Sequence, residues 1–375
     1  MTNQEGLEWV STTFGLEPRW TAEPDIDAIA QIARKHLDRG RDVPINVSFH
    51  AQGAFNKLYR ISTGDSDHLL RVSLPVYPRM KTESEVATIE FIRNNTVMPV
   101  PRILAYDADN KNELQYEWIL IEMMPGTPLN SRWRSMSWQA KETIIKQLAA
   151  FQAQLFTREF SRIGNLFHNS IDLGPLVSLI FFWGDHLQHE VPRGPFLNSH
   201  EWLRTRLSFA LLDQQCILRT SEVEDDLEDA EFAKALIEDI LEILPNIFPT
   251  SLMDGSRSIL FHDDLSILTA IIDWDSDAED DDATSCNSPD SDGVSSLYWD
   301  HLLEFEQTQL RKVFVEEMTM LQPEWVMVMK ESTLKADFEK VVHNCDNSWA
   351  FRAVRRWITI SAEGRIERLA DELIR

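Results

Sequence analysis

The sequence has few cysteines, and those it has are far apart. Only three of the 375 residues are cysteine, at Cys216, Cys286 and Cys345. No Cys-x-x-Cys pair suggests a zinc or redox centre, and an odd number of separated cysteines does not suggest a disulfide framework. We therefore expect reduced thiols in an intracellular protein.

Positive charge is also scarce. The chain has 36 Lys and Arg against 61 Asp and Glu, which gives a formal net charge of −25. Such a charge repels nucleic acid and anionic lipid surfaces at long range. We expect neither as a partner, although a local basic pocket for a nucleotide stays open.

Long apolar runs are absent as well. No run approaches the ~20 residues that would span a bilayer. The first six residues are polar and acidic, unlike a signal peptide, so we expect a cytoplasmic protein. The length and the 43% hydrophobic content allow two domains, or two lobes sharing a cleft. The oligomeric state is left open.

The pattern of apolar residues divides the chain into three parts. Residues 1–43 form an N-terminal extension with an amphipathic helix around Ile26 to His36. Residues 44–124 contain five strand-like segments and one helix, which predicts a small β-rich lobe. Residues 125–128 predict a hinge, and residues 125–375 predict a larger helical lobe. The Asp- and Ser-rich run 275–296 predicts a disordered acidic loop.

Several residues of the β-rich part are candidates for binding a ligand. Gly53 lies between two strands, where a backbone turn closes or where phosphates bind. Arg71 is a cation inside an apolar strand, so it requires a partner or a ligand. Glu85 has two interpretations, a helix capping box with Thr82 or an ion pair with Arg71. Backbone groups between Glu122 and Met124 are candidates for the edge of an adenine.

The most distinctive stretch is Phe261-His262-Asp263-Asp264-Leu265-Ser266, which continues directly into an apolar run ending in Asp273-Trp274. It places carboxylates at both edges of one buried strand. In phosphoryl transfer, one aspartate orients the attacking hydroxyl and another holds Mg²⁺ on the nucleotide phosphates. The alternative is a buried strand with an acidic loop at each end. A calcium loop starting at Asp273 is excluded because Ala278 and Thr284 replace the required glycine and glutamate.

These motifs, in this order, resemble the aminoglycoside phosphotransferase (phosphotransferase enzyme) family, and particularly its large fungal branch. The likeness runs from about residue 47 to the C-terminus. It is carried by residues 70–75, 81–88, 99–101, 117–120, 192–196, 261–266, 270–274, 298–303 and 308–314. The resemblance implies an α+β, protein-kinase-like bilobal fold with ATP and Mg²⁺ between the lobes.

The resemblance also implies roles for single residues. Asp264, with His262 beside it, corresponds to the catalytic motif, and Asp273 corresponds to the metal-binding aspartate. Arg71 stands where the family has a phosphate-binding lysine, and Glu85 stands where it has the ion-pair partner. Arginine in place of lysine keeps the positive charge but replaces a compact ammonium group with a planar guanidinium group that donates several hydrogen bonds.

The chain departs from the family inside the catalytic motif. The family has an asparagine that ligates Mg²⁺ and most of a β-hairpin after Asp-Leu-Ser, but here Ile267 follows Ser266 directly. Two explanations account for this loss. The protein is a degenerate kinase, or its predicted reading frame lacks some coding segments. The hypotheses are therefore a phosphotransferase acting on a hydroxyl of a small molecule, a catalytically inactive pseudokinase or binding module, and an acidic scaffold that uses residues 275–292.

Overall fold

The structure is a computed structural model that describes residues 5–12, 15–37, 43–64, 66–167, 173–249, 257–260, 296–362 and 368–369. The described chain divides into two compact units. The first comprises residues 1–158, 166–169 and 259–323, and the second comprises residues 159–165, 170–258 and 324–375. The predicted catalytic motif and acidic loop lie outside the described residues, except that helix α8 begins at Ser296. The predicted domain boundaries stay predictions.

The first unit opens with an antiparallel hairpin and a helix. Strands β1 (Leu7–Thr12) and β2 (Gly15–Trp20) form the hairpin, which the sequence did not predict. Helix α1 (Ile26–His36) confirms the predicted amphipathic helix. It buries Ile29 and Ile32 completely, and each such burial stabilises the fold by roughly 1.5–3 kcal/mol.

A five-stranded antiparallel sheet forms the centre of this unit, as the sequence predicted. Its order is β3-β4-β5-β7-β6. The strands are β3 (Asn46–Gln52), β4 (Asn56–Ser62), β5 (Asp67–Ser73), β6 (Ile103–Asp107) and β7 (Glu117–Glu122). One face packs against α1 through an apolar cluster. Its sheet residues are Tyr59, Ile61, Leu70, Val72, Trp118 and Leu120.

Helix α2 (Met80–Asn95) follows β5 and packs against β6 and β7. The predicted capping box is wrong, because the N-cap is Arg79 and Thr82 lies inside the first turn. The acceptor for the Arg79 N–H is instead the Glu117 carboxylate at 2.5 Å, on strand β7. A distant side chain therefore starts the helix earlier than the local sequence predicts.

Three further helices complete the first unit, α3 (Leu129–Trp133), α4 (Trp138–Phe156) and α8 (Ser296–Leu321). The residues between β7 and α3 form neither helix nor strand, and the hinge predicted at residues 125–128 stays a prediction. The Lys141 ammonium donates to both carboxylate oxygens of Glu306 at 2.7 Å, and the Trp133 indole donates to the same carboxylate at 2.9 Å. This contact fixes α4 against α8.

The second unit is mainly helical. Its elements are β8 (Glu159–Phe160), α5 (Leu179–Phe182), a 3-10 turn (His186–Gln188), α6 (Ser199–Thr220), α7 (Glu224–Ile247), β9 (Ser258–Ile259), α9 (Pro323–Glu331), α10 (Thr333–His343) and α11 (Phe351–Ala362). Helices α6, α7, α10 and α11 share an apolar core around Trp357. Pro245 lies inside α7, which continues to Ile247. Proline so close to the C-terminus forfeits only one hydrogen bond.

Arg193 lies in a segment of the sequence that is rich in aromatic residues and proline. Its guanidinium donates to the carbonyl oxygens of Phe181, His186 and His189 at 2.8, 2.6 and 3.3 Å. These contacts support packing. Cys216 and Cys345 are free thiols as predicted, whereas Cys286 lies outside the described residues. Among the described helices, none is both long enough and apolar enough to cross a membrane.

Candidate functional site

The second face of the five-stranded sheet carries polar residues, and it holds the candidate site. Side chains directly opposite each other on neighbouring strands lie on the same face. Asn56 lies opposite Ser73, and Ser73 lies opposite Glu117, while Arg71 is two residues before Ser73. We call this surface, with Asn56, Arg71, Ser73 and Glu117, the polar sheet face.

Arg71 and Glu85 form an ion pair at this face. Arg71 lies on β5 and Glu85 on α2, and the guanidinium donates directly to the carboxylate. Their side chains are only 10% and 9% exposed. Isolated charges are expensive to bury, so each residue stabilises the other in its ionised form. The predicted ion pair is confirmed, whereas its contact with phosphates stays a prediction.

A second cation, Lys81, reaches the same face from the first turn of α2. Lys81 is only 6% exposed, and its ammonium group donates a hydrogen bond to Asn56 Oδ1 at 3.2 Å. The Ser73 hydroxyl donates to the same oxygen, also at 3.2 Å. One amide oxygen on β4 therefore joins α2 to β5.

Glu117 completes the group. Burial raises the pKa of the Glu117 carboxyl, although hydrogen bonds, including one from the Arg79 N–H, and the charge of Lys81 oppose the shift. Sequence reasoning missed Asn56, Lys81 and Glu117 as a group. Signals were present in the spacing of Lys81 four residues before Glu85, and in an acidic residue that opens an otherwise apolar strand.

Gly53 lies in the turn between β3 and β4. Its N–H donates to the Asn56 carbonyl oxygen at 2.9 Å, which closes the turn. The turn interpretation is therefore confirmed. A phosphate contact at Gly53 stays a prediction, and it would have to use groups other than this engaged amide.

Glu122 and Met124 lie at the end of β7. The Glu122 N–H donates to the Arg102 carbonyl oxygen at 3.1 Å, and the Glu122 carboxylate accepts from the Arg102 N–H at 2.9 Å. These two groups join β7 to the start of β6. The Met124 N–H has no backbone acceptor among the described residues, and adenine binding here stays a prediction.

The predicted catalytic residues His262 and Asp264 and the predicted metal ligand Asp273 lie outside the described residues. Within the described ranges, no group of three or more His, Cys, Asp and Glu side chains is arranged to hold a metal ion. The described part of the site is thus a pair of buried cations, Arg71 and Lys81, with two buried carboxylates, Glu85 and Glu117.

Two curated relatives match part of the chain. A subtelomeric hrmA-associated cluster protein of Aspergillus fumigatus is 30% identical over 161 residues, which are 39% of this chain and 32% of that protein. The altered inheritance of mitochondria protein 9 of Meyerozyma guilliermondii, named as mitochondrial, is 30% identical over 144 residues, 36% of this chain and 24% of that protein. The chain thus spans about a third or less of the length of these relatives.

The solved structures that the chain is compared with include two aminoglycoside phosphotransferases, and both similarities are weak. The ADP-bound enzyme APH(2'')-Ib is 11% identical with a TM-score of 0.41, covering 93% of this chain and 97% of that one. The ternary complex of APH(2'')-IIa with streptomycin and ATP is 11% identical with a TM-score of 0.35, covering 59% and 60%.

A family profile also matches the chain. Residues 46–276 match the phosphotransferase enzyme family, a range that contains the whole five-stranded sheet and extends past Asp273. The α+β, protein-kinase-like fold predicted from the sequence is confirmed. Because the match covers more than half of the sequence, this chain belongs to the phosphotransferase enzyme family.

Proposed function

We propose that this protein transfers the γ-phosphate of ATP to a hydroxyl group of a small molecule. The observation that carries the proposal is the buried Arg71–Glu85 ion pair between β5 and α2. In kinase-like phosphotransferases, a cation held by a carboxylate of the neighbouring helix orients the nucleotide phosphates. Arg71 is a forked, permanently charged donor, and such donors suit phosphate oxygens.

The remaining roles are assigned to the motif outside the described residues. Asp264, beside His262, would orient the acceptor hydroxyl and take its proton. Asp273 would hold Mg²⁺, which neutralises charge on the phosphates as the phosphoryl group moves. The adenine would bind along the segment from Glu122 to Met124, and the turn at Gly53 would lie over the phosphates.

Thermal unfolding tests nucleotide binding. The protein is heated with ATP alone, with Mg²⁺ alone and with both. A ligand at ~100 times its dissociation constant stabilises the folded state by about 2.7 kcal/mol, which shifts the midpoint measurably. We expect a Mg²⁺-dependent ATP shift that Asp273→Ala abolishes and that Asp225→Ala, an acidic residue in the first turn of α7, retains.

Phosphoryl transfer itself is tested with a panel of acceptors. The family acts on hydroxyl compounds, so the panel contains aminoglycosides, choline-like alcohols and sugars. We expect ATP-dependent phosphorylation of at least one class, abolished by Asp264→Ala. Turnover that survives this substitution contradicts the assignment of Asp264.

The second candidate is a pseudokinase or small-molecule binding module. It is favoured by one observation, the direct succession of Ser266 and Ile267 where the family has a metal-binding asparagine. This candidate predicts ATP binding that is indifferent to Mg²⁺, without turnover. Turnover at ordinary kinase rates, of roughly 1–100 s⁻¹, excludes it. Cytoplasm is the location that we propose for either candidate, and fractionation of tagged protein tests it.

A further inference from the structure

Lys81 is a buried cation for which the phosphotransferase motifs provide no role. It lies four residues before Glu85 on α2, so the two side chains leave the same side of the helix. Both reach the polar sheet face, where Glu85 contacts Arg71 and Lys81 contacts Asn56. The helix therefore presents a cation and a carboxylate to the same surface, one turn apart.

Asn56 fixes the position of Lys81 relative to Arg71. Its side-chain oxygen accepts from both the Lys81 ammonium and the Ser73 hydroxyl. Ser73 and Arg71 lie two residues apart on β5, and such positions are separated by roughly 7 Å on one face of a strand. Arg71 and Lys81 are thus neighbouring cations on the polar sheet face, although the whole chain is strongly acidic.

We infer that Lys81 is a second phosphate-contacting residue, which binds the polyphosphate of the nucleotide beside Arg71. The inference rests on the proposed function. Arg71 supplies a rigid fork, while Lys81 supplies a compact ammonium that matches a single phosphate oxygen. Arginine thus stands at the position on β5 where a lysine is usual, and the lysine amine is provided from α2.

The competing explanation is purely structural. In that case the Lys81 ammonium holds Asn56 in place and balances the buried charge of Glu117, whose pKa it lowers. Both explanations predict that loss of Lys81 destabilises the fold. Only the phosphate contact predicts that replacing Lys81 also weakens the binding of nucleotides that carry phosphates and leaves the binding of adenosine unchanged.

Lys57 offers a matched control. It is the residue after Asn56 on β4 and is also buried, but it points to the opposite face of the sheet. There its ammonium donates to Glu23 at 2.5 Å and lies 4.8 Å from the centre of the Trp20 ring. Replacing Lys57 therefore removes an equally buried lysine without changing the polar sheet face.

The first experiment measures the affinities of ATP, ADP and adenosine for the wild type, Lys81→Gln and Lys57→Gln by calorimetry. Glutamine keeps a donor for Asn56 but removes the charge. We expect Lys81→Gln to weaken ATP and ADP roughly 10-fold or more, because a charge-assisted hydrogen bond is lost, and to leave adenosine unchanged. Lys57→Gln should bind all three like the wild type.

A second experiment uses the wild type, so it does not depend on folding of a variant. The protein is incubated with an acyl-phosphate derivative of ATP, with and without excess ATP. The Lys81 amine attacks the acyl carbonyl carbon, an amide C–N bond forms, the C–O bond to the phosphate breaks, and ATP leaves as its anion while the amine proton passes to water. Peptide mass spectrometry should find ATP-competed label on Lys81 and none on Lys57.

The outcomes separate the two proposals. If the wild type binds ATP and ADP and Lys81→Gln binds them equally well, the phosphate contact of Lys81 is overturned and the proposed function stays intact. The same conclusion follows if the acyl-phosphate probe does not label Lys81. If neither ATP nor ADP binds the wild type, the proposed function and the role of Lys81 fail together.

Discussion

Arg71 and Glu85 bring opposite charges together where little water reaches them. Removing one partner of a buried pair leaves the other charge uncompensated, which costs about 3–5 kcal/mol of stability. We therefore expect Glu85→Ala to lower the free energy of unfolding by about this amount in urea denaturation. The double variant Arg71→Met/Glu85→Ala should recover a large part of the loss.

The control for this prediction is a surface pair on the same sheet. Arg60 and Asp67 join β4 to β5 at 2.5 Å, but both are much more exposed than Arg71 and Glu85. Surface pairs contribute little because water screens them. If Asp67→Asn destabilises the protein as much as Glu85→Ala does, burial of the Arg71–Glu85 pair is not what gives it its stabilising effect.

His186 in the second unit provides a prediction about pH. Its Nδ1 lies 2.7 Å from the Ile180 carbonyl oxygen, and its Nε2 lies 2.8 Å from Asp213 Oδ1. Both partners accept hydrogen bonds, so the ring satisfies both only when it is doubly protonated. Burial lowers the pKa of His186, but the hydrogen bond and the charge of Asp213 outweigh burial and raise the pKa above 6.5.

A raised pKa in the folded state gives the pH dependence its sign. The stabilisation that protonated His186 contributes is complete below its unfolded-state pKa, near 6.5. It is lost as the pH rises through the pKa of His186 in the folded state. We expect the free energy of unfolding to fall over that interval, and the fall to be small because the Asp213 side chain is 41% exposed and screened. Urea denaturation across pH measures the fall.

Asp213→Asn is the matched variant for this pH dependence. Asparagine still accepts a hydrogen bond from the ring, but it removes the carboxylate charge that outweighs burial. The fall above pH 6.5 should therefore shrink in the variant. Three charged or titratable neighbours stay unchanged: Asp185, His189, whose ring centre lies 5.9 Å from that of His186, and Arg193, which donates to the His186 backbone carbonyl. An identical profile in both proteins would assign the pH dependence to one of these neighbours.

At the scale of elements, the N-terminal hairpin is attached to the sheet through Tyr116. Tyr116 lies just before β7, its ring centre is 5.1 Å from that of Trp20, and its hydroxyl donates to the Ala22 carbonyl oxygen at 3.1 Å. Gly6 approaches the same ring with a φ of +94°, and an added Cβ would lie 2.7 Å from a Tyr116 ring carbon. Glycine is required here for both backbone and space.

Gly6→Ala should therefore destabilise the protein by more than backbone strain alone. Gly64 is the control, because its φ is also positive, at +86°, and an added Cβ meets nothing within 4 Å. We expect Gly64→Ala to cost about 1 kcal/mol and Gly6→Ala to cost clearly more, measured by thermal unfolding. Equal losses would mean that the hairpin does not depend on close contact with Tyr116.

The elements that sequence predicted correctly are those whose determinants are local. Strand alternation and turn residues indicated the five strands, and the spacing of Ile29 and Ile32 indicated α1. The start of α2 was misplaced because its acceptor, Glu117, is 38 residues away. The hairpin β1–β2 was missed although its strands pair with each other, whereas its attachment to the sheet through Tyr116 involves a residue distant in the sequence.

The same distinction applies to the candidate site. A cation in an apolar strand indicated that Arg71 needs a partner, and Glu85 provides it. The contact of Lys81 with Asn56 depends on the strand register and on the rotation of α2, neither of which a single sequence reveals. Asp264 and Asp273 stay predictions from the motif alone.

At the scale of the whole molecule, the net charge is strongly negative, although two cations lie on the polar sheet face. The chain carries −25, while Arg71 and Lys81 lie together on the polar sheet face. ATP is an anion, so the molecular field repels it at long range, and salt screens this repulsion over a Debye length of about 10 Å at 0.1 M. Contacts at the polar sheet face operate at shorter range and are screened less.

We therefore expect the association rate constant of ATP to increase with ionic strength between ~0.05 and ~0.5 M. Stopped-flow fluorescence with a labelled ATP measures it, and a labelled adenosine without phosphates should show no such increase. An association rate that falls with salt would mean that the local cations, rather than the overall charge, govern the approach of the nucleotide.

The double attachment of α2 has a consequence for how this sequence evolves. Glu117 on β7 holds the start of the helix, and Arg71 on β5 holds Glu85 one and a half turns later. An apolar replacement at any of these three positions leaves a buried charge or the Arg79 N–H without its partner. Positions 71 and 85 should therefore change together among homologues, and an acidic residue at 117 should accompany helices that begin where α2 does.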